Sequence, residues 1–123
     1  LPQPQVIRPD GTACLLDDLV EPGFELVVAD GPHVPALHAL AQQVGVALIV
    51  LLGTAPTALH TGLPLKVVEP DGLLRHWFAL HKVQGVLVRP DRYVFAGFTD
   101  LQSAERALAS LARADVLIQA VAA

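Results

Sequence analysis

Methionine is missing altogether from this 123-residue chain, cysteine occurs once, and aromatic side chains make up only 5% of it. With Leu1 first and no methionine anywhere, the sequence reads as a mature or excised fragment. A single thiol, Cys14, excludes an internal disulfide and any Cys-x-x-Cys pair, and it fits a reducing, cytoplasmic setting. Cations are also scarce: eight Lys and Arg against twelve Asp and Glu leave a net charge of -4. They are scattered rather than clustered, which gives no electrostatic footprint for nucleic acid. No membrane span or signal peptide is visible, since the longest dense apolar run, Val44 to Leu52, has the length of a buried strand.

What the chain does have is apolar material, 53% of its residues. Leu, Val and Ala dominate, with Trp77, Tyr93 and four Phe as the larger pieces. That composition and length predict one domain with a real core. Three Pro-Asp turns punctuate it: Pro9-Asp10-Gly11, Pro70-Asp71-Gly72 and Pro90-Asp91-Arg92.

Between these turns the periodicity predicts an ordered series of elements. Residues 1–15, with Pro2, Pro4 and Pro9, read as an extended arm or linker, and 16–123 as the domain proper. Phe24 to Ala29 is a short apolar strand entered through Pro22-Gly23. Val34, Leu37, Leu40, Ala41 and Val44 recur at helical spacing, with Pro35 in the first turn and Gly45 as the stop. Val46 to Leu52 suits a central strand covered on both faces. Gly53 to Leu65 carries no usable period and reads as loop, followed by a short strand over Leu65 to Val68.

Asp71 is the expected N-cap of a helix over Leu73 to Val83, whose face is marked by Leu73, Leu74, Trp77, Phe78 and His81. Val86 to Arg89 and Tyr93 to Phe98 form a hairpin about Pro90-Asp91-Arg92. Thr99-Asp-Leu-Gln102 has capping-box form, and Leu101, Ala104, Leu108 and Leu111 stripe a closing helix. The predicted class is therefore α/β: a mixed sheet with a parallel β-α-β start, an antiparallel C-terminal hairpin and a final helix. This is the element order of a thioredoxin-like sandwich.

Candidate chemistry is thin. Dithiol exchange needs an activated thiolate and a resolving thiol, and Cys14 has neither a partner thiol nor a neighbouring cation, so an inert, partly buried thiol is the simpler reading. The histidines are His33, His38, His60, His76 and His81. Both close pairs are five apart, about 140° around a helix, whereas a helical zinc pair wants i and i+4. Asp17, Asp18 and Glu21 lack calcium-ligand alternation and read as a solvated acidic turn.

The Gly53-Thr-Ala-Pro-Thr57 stretch has no following Lys and no clear helix start, which argues against a phosphate loop. Arg89, Asp91 and Arg92 read as turn chemistry and edge protection. Arg92 sits where glycine would be easier if the backbone is left-handed. No catalytic, cofactor-binding or metal-ligating residue is assigned.

Asp71-Gly-Leu-Leu-Arg-His-Trp-Phe78 and Gly85-Val-Leu-Val-Arg-Pro-Asp-Arg-Tyr-Val94, with Leu16-Asp-Asp-Leu-Val-Glu-Pro-Gly-Phe24, resemble the C-terminal region of FAD-dependent aromatic hydroxylases. The phenol and 3-(3-hydroxyphenyl)propionate hydroxylase type is the nearest pattern, over about Pro4 to Leu111, with Asp115 to Ala123 as a family-specific tail. The resemblance implies a thioredoxin-like domain that has lost its redox cysteines, cut from a parent that uses FAD, NAD(P)H and O2 to hydroxylate phenolic rings. No cofactor is expected in the fragment itself. Its implied role is stability and oligomerisation, with the parent's flavin domain and another subunit as partners in a homo-oligomer. Two alternatives stand beside it: a self-standing thioredoxin-like redox protein using Cys14, and a small ligand-binding module with its pocket near Gly53 to Leu65.

Overall fold

The computed structural model describes residues 2–20, 23–53 and 64–122, with side chains described as far as 111. The elements in chain order begin with β1 (Gln5–Ile7), β2 (Ala13–Leu15) and a 3₁₀ turn at Leu16–Asp18. Then come β3 (Glu25–Ala29), α1 (Val34–Val44), β4 (Ala47–Leu52), β5 (Leu65–Val68) and α2 (Leu73–His81). The chain closes with β6 (Gly85–Val88), β7 (Val94–Phe98) and α3 (Leu101–Ala122). All strands join one seven-stranded sheet in the order β2-β1-β5-β4-β3-β6-β7. β3, β4 and β5 run parallel, while β6 and β7 continue the sheet antiparallel from β3.

The central strands are apolar on both faces because both faces are covered. On one side Leu26, Val28, Leu48, Val50 and Leu87 pack beneath α1 and α3 through Leu37, Ala41, Ala104, Leu108 and Leu111. On the other, Val27, Ile49, Leu51, Val67 and Val86 pack beneath α2 through Leu74 and Phe78. Strand alternation thus divides one apolar run between two cores. Gly85 permits the tightest approach in the sheet: a Cβ there would lie 2.7 Å from both Phe98 and Val28 side chains and 2.8 Å from the Val27 carbonyl oxygen.

Helix α1 behaves as its sequence predicts. Gly45 ends it in the left-handed conformation at φ 77°, where a side chain would be strained. Three expectations change. The segment read as an arm instead pairs β1 with β2 and joins the sheet through Ile7 opposite Val68, with Val6 and Leu16 fully buried in the second core. The Pro9-Asp10-Gly11 turn closes that hairpin, Thr12 donating its backbone N–H to Asp10 Oδ1 at 2.9 Å, and the prolines lie outside the ladder.

Asp71 is not the cap of α2. Gly72 holds that position at φ 63°, and the end of the helix is satisfied from further back by Glu69, whose Oε2 accepts the Leu74 N–H at 2.7 Å. At α3 the reciprocal cap is shifted by one residue. Asp100 Oδ1 accepts the Ser103 N–H at 2.8 Å and Ser103 Oγ accepts the Asp100 N–H at 3.2 Å, because serine serves the N3 position as well as the expected Gln102 side chain would from its neighbour. That bond holds the Asp100 carboxyl below its ordinary value.

Candidate functional site

In redox proteins built on a β-α-β unit, the paired cysteines stand where the first strand of the unit feeds its helix. Here that junction reads Asp30-Gly31-Pro32-His33. Asp30 donates its backbone N–H to the Leu51 carbonyl at 3.1 Å, and its carboxylate accepts the Gly31 N–H at 3.0 Å. The His33 ring lies over Gly31, so close that a Cβ on Gly31 would stand 2.8 Å from its Cε1, and its Nε2 is buried without a partner. Neither side chain is a thiol, so the junction cannot run dithiol exchange.

Beside it lies an open groove of about 390 Å³ between the start of α1 and the entry to β5, lined by Asp30, Pro32, Pro35, His38, Pro64 and Lys66. A helix N-terminus ordinarily attracts anions through its free N–H groups. Pro35 removes one of those donors, the Val34 N–H is taken by the Gly31 carbonyl at 3.3 Å, and the Asp30 carboxylate adds a charge of the wrong sign.

The other singled-out residues are dispersed. Cys14 lies on β2, half-buried against the second core and remote in sequence from the α1 junction. His81 stacks on Trp77 with ring centroids 4.1 Å apart, and His76 is exposed on the same helix. His60, Glu21, the Pro22 end of its turn and residues 54–63 of the Gly53 to Leu65 loop lie outside the described residues. Among the described residues no three His, Cys, Asp or Glu side chains form a group able to hold a metal ion.

The turn group Arg89, Asp91 and Arg92 splits in two. Asp91 does serve the turn, accepting the Arg89 Nη2–H at 2.7 Å and the Tyr93 N–H at 3.3 Å. Arg92, at φ 72°, does not lie over the strand edge. It reaches the 3₁₀ turn, far earlier in the chain, donating Nη2–H to the Asp17 carbonyl at 3.0 Å and placing Nε 3.3 Å from Asp17 Oδ1. Its Nη1 stands 3.5 Å from Oε1 of Glu25, a carboxylate only 1% exposed. Burial pushes the Glu25 carboxyl up to about 7, with Arg92 opposing that rise and Asp17 adding to it.

Two buried acids, Glu25 and Glu69, were thus missed by reasoning from motifs. Each had a faint signal: Glu25 is the lone charge in Phe-Glu-Leu-Val-Val-Ala, and Glu69 immediately precedes a Pro-Asp-Gly helix entry.

The fold and the junction together define a class, a thioredoxin-like domain without its dithiol. The thioredoxin domain of a thiol-disulfide oxidoreductase from Bacteroides vulgatus superposes with a TM-score of 0.63 at 11% identity, over 90% of this chain and 94% of that one. The chain belongs to the HcaD C-terminal domain family, which it matches over residues 1–114. It is 36% identical over 94 residues, 73% of its length, to a probable NADH-specific resorcinol 4-hydroxylase of Rhodococcus jostii strain RHA1. That match covers 17% of the hydroxylase. The flavin-dependent monooxygenase PieE, solved with FAD and substrate, superposes with a TM-score of 0.62 at 22% identity, over 92% of this chain and 18% of PieE. The chain thus spans under a fifth of the length of the hydroxylases it matches. None of the helices among the described residues is long and apolar enough to cross a membrane.

Proposed function

We propose that this chain is a non-catalytic accessory domain of an FAD-dependent monooxygenase that hydroxylates phenolic compounds with NAD(P)H and O2, and that it contributes packing rather than chemistry. The observation that carries this reading is the Asp30-Gly31-Pro32-His33 junction, which keeps the strand-helix geometry of a redox fold and has no sulfur in it. Kinship with a resorcinol hydroxylase supplies the parent's class. The FAD and NAD(P)H sites belong to the rest of the parent, because the described residues contain no glycine-rich turn leading into a helix N-terminus rich in free N–H groups. A cytoplasmic homo-oligomer, stabilised through contacts of this domain with the flavin domain or a second subunit, completes the proposal.

The test compares full-length and truncated parent by sedimentation, thermal unfolding and NAD(P)H-coupled hydroxylation. Loss of assembly or of melting temperature with the flavin chemistry retained supports the reading. A truncated enzyme that keeps its oligomeric state and melting temperature but loses hydroxylation refutes it. Titration of the chain alone with FAD gives a second check: saturable micromolar binding would count against an accessory role. Replacing Cys14 by Ser leaves parent turnover unchanged on this proposal, whereas loss of a thiol-dependent activity favours a redox protein.

A further inference from the structure

Helix α2 buries one apolar face and leaves a second in solvent. Leu74 and Phe78 pack into the second core, while Leu73 and Leu80 are 47% and 67% exposed. Seven residues apart, these two leucines stand one above the other on the helix with His76 and Trp77 between them. That is the i, i+3, i+4, i+7 seam of a helix that packs against another helix. The half-buried Trp77 indole is backed by the His81 ring, stacked on it at 4.1 Å. A helix apolar on both faces is ordinarily covered on both. We propose that the outer face of α2 is an interface with a second copy of this chain, the two α2 helices packing antiparallel about a twofold axis that passes between His76 and Trp77.

Self-complementarity selects that occupant. About this axis, antiparallel packing sets Leu73 of one copy beside Leu80 of the other and His76 beside Trp77, each contact occurring twice. The ends match in charge as well. Asp71, exposed just before the N-terminus of α2, comes beside Lys82, exposed at its C-terminus. Among the described residues neither belongs to an ion pair, whereas Arg75 on the same helix is already engaged by Glu69. The positive end of each helix dipole also meets the negative end of the other. Parallel packing would instead set Asp71 against Asp71 and Lys82 against Lys82. Any other partner must supply this series of groups in reverse, and a second copy supplies it by symmetry. The helix has nine residues, about 13 Å of length, so the contact is smaller than a standard interface and the chain associates weakly. The inference rests on the accessory-domain reading and adds to it the face and the partner.

The experiment is sedimentation equilibrium of the 123-residue chain from about 10 μM to about 1 mM, the range in which small interfaces associate. The expected mass rises from 13.0 kDa toward twice that value, and a Leu80→Glu variant stays monomeric throughout. Charge reversal identifies the pairing. Asp71→Lys and Lys82→Asp should each weaken self-association roughly tenfold, because each homodimer then carries two contacts of like charge. An equimolar mixture of these two variants should associate as well as wild type, since both contacts of the mixed dimer are again of opposite sign. Recovery in the mixture also shows that each variant is folded. A chain that is monomeric at the highest concentration overturns the proposal. So does a dimer that survives Leu80→Glu, or a mixture that associates no better than its components. The accessory-domain reading is decided separately, by truncating the parent, so the two can fail independently.

Discussion

Glu25 and Glu69 are both buried carboxylates at strand ends, 1% and 0% exposed, yet the fold surrounds them in opposite ways. Glu69 is met by the Leu74 N–H at 2.7 Å, the Arg75 N–H at 3.2 Å and the Arg75 Nε–H at 3.1 Å, and its own carbonyl accepts the Arg75 Nη2–H at 3.0 Å. Every donor comes from the first turn of α2, within six residues, so forming the helix also solvates the acid. Glu25 has a single cation, carried by the turn that follows its neighbouring strand β6, and one oxygen without any donor. A buried charge is tolerable where helix N–H groups converge on it and costly where it depends on one long-range ion pair.

Removing Glu69 tests that contrast most severely. Glu69→Ala leaves a buried N–H and a partly buried guanidinium without their acceptor, and we expect a loss of about 3 kcal/mol in chemical denaturation. Arg75 also fills the space beside Gly53, where a Cβ would lie 2.6 Å from its Nη1, so the loss extends to the packing at the end of β4.

For Glu25 the sign reverses. Its carboxyl in the folded chain sits near 7, above the ordinary 4.5, so over that interval the folded chain holds a proton that the unfolded chain has released. The stabilisation is complete below the unfolded value and disappears as pH rises through about 7. Glu25→Gln keeps the neutral shape at every pH. The variant should therefore be more stable than wild type by roughly 2–3 kcal/mol at pH 8 and equal to it near pH 4, read from urea midpoints. A variant less stable at both pH values would show that Arg92 needs the carboxylate more than burial penalises it.

Arg92→Gly brings two effects into competition. Glycine relieves the positive φ by about 1 kcal/mol, while loss of the guanidinium strands Glu25 and frees Asp17. We expect a net loss of about 1–2 kcal/mol at pH 8 that shrinks to near zero at pH 5, because neutral Glu25 no longer needs the cation. The smallest effect belongs to Asp91→Ala. The Arg89–Asp91 pair is about half exposed on both sides, so its loss should cost about 0.5 kcal/mol and show no pH contrast between 5 and 8.

Local signals in the chain located most of the frame. β5 and the hairpin strands fall where alternation and Pro-Asp turns put them, and α1 ends at Gly45 because a left-handed stop has few other occupants. The stripe Ala104, Leu108 and Leu111 is buried as its spacing implies. The same signals misread residues 1–15, where prolines suggested an arm. Three-residue strands carry too little period to be seen, and their pairing is made by the distant edge of β5. Asp71 has the pattern of a cap for α2 because a helix start is usually capped by the nearest polar side chain, whereas here the chain reaches it from Glu69.

By itself, then, the sequence determined the parallel start, the hairpin, the closing helix and the absence of a dithiol. These depend on residues adjacent in the chain or on a count of sulfur atoms. Only the tertiary structure decided which acids are buried and how each is treated. Glu25 meets Arg92 across 67 residues of chain and Glu69 meets Arg75 across six, and no periodicity distinguishes the two. Whether a carboxylate is solvated by helix N–H groups or left with one oxygen bare is settled by where donors lie in space, and that is fixed when strands from distant parts of the chain come side by side.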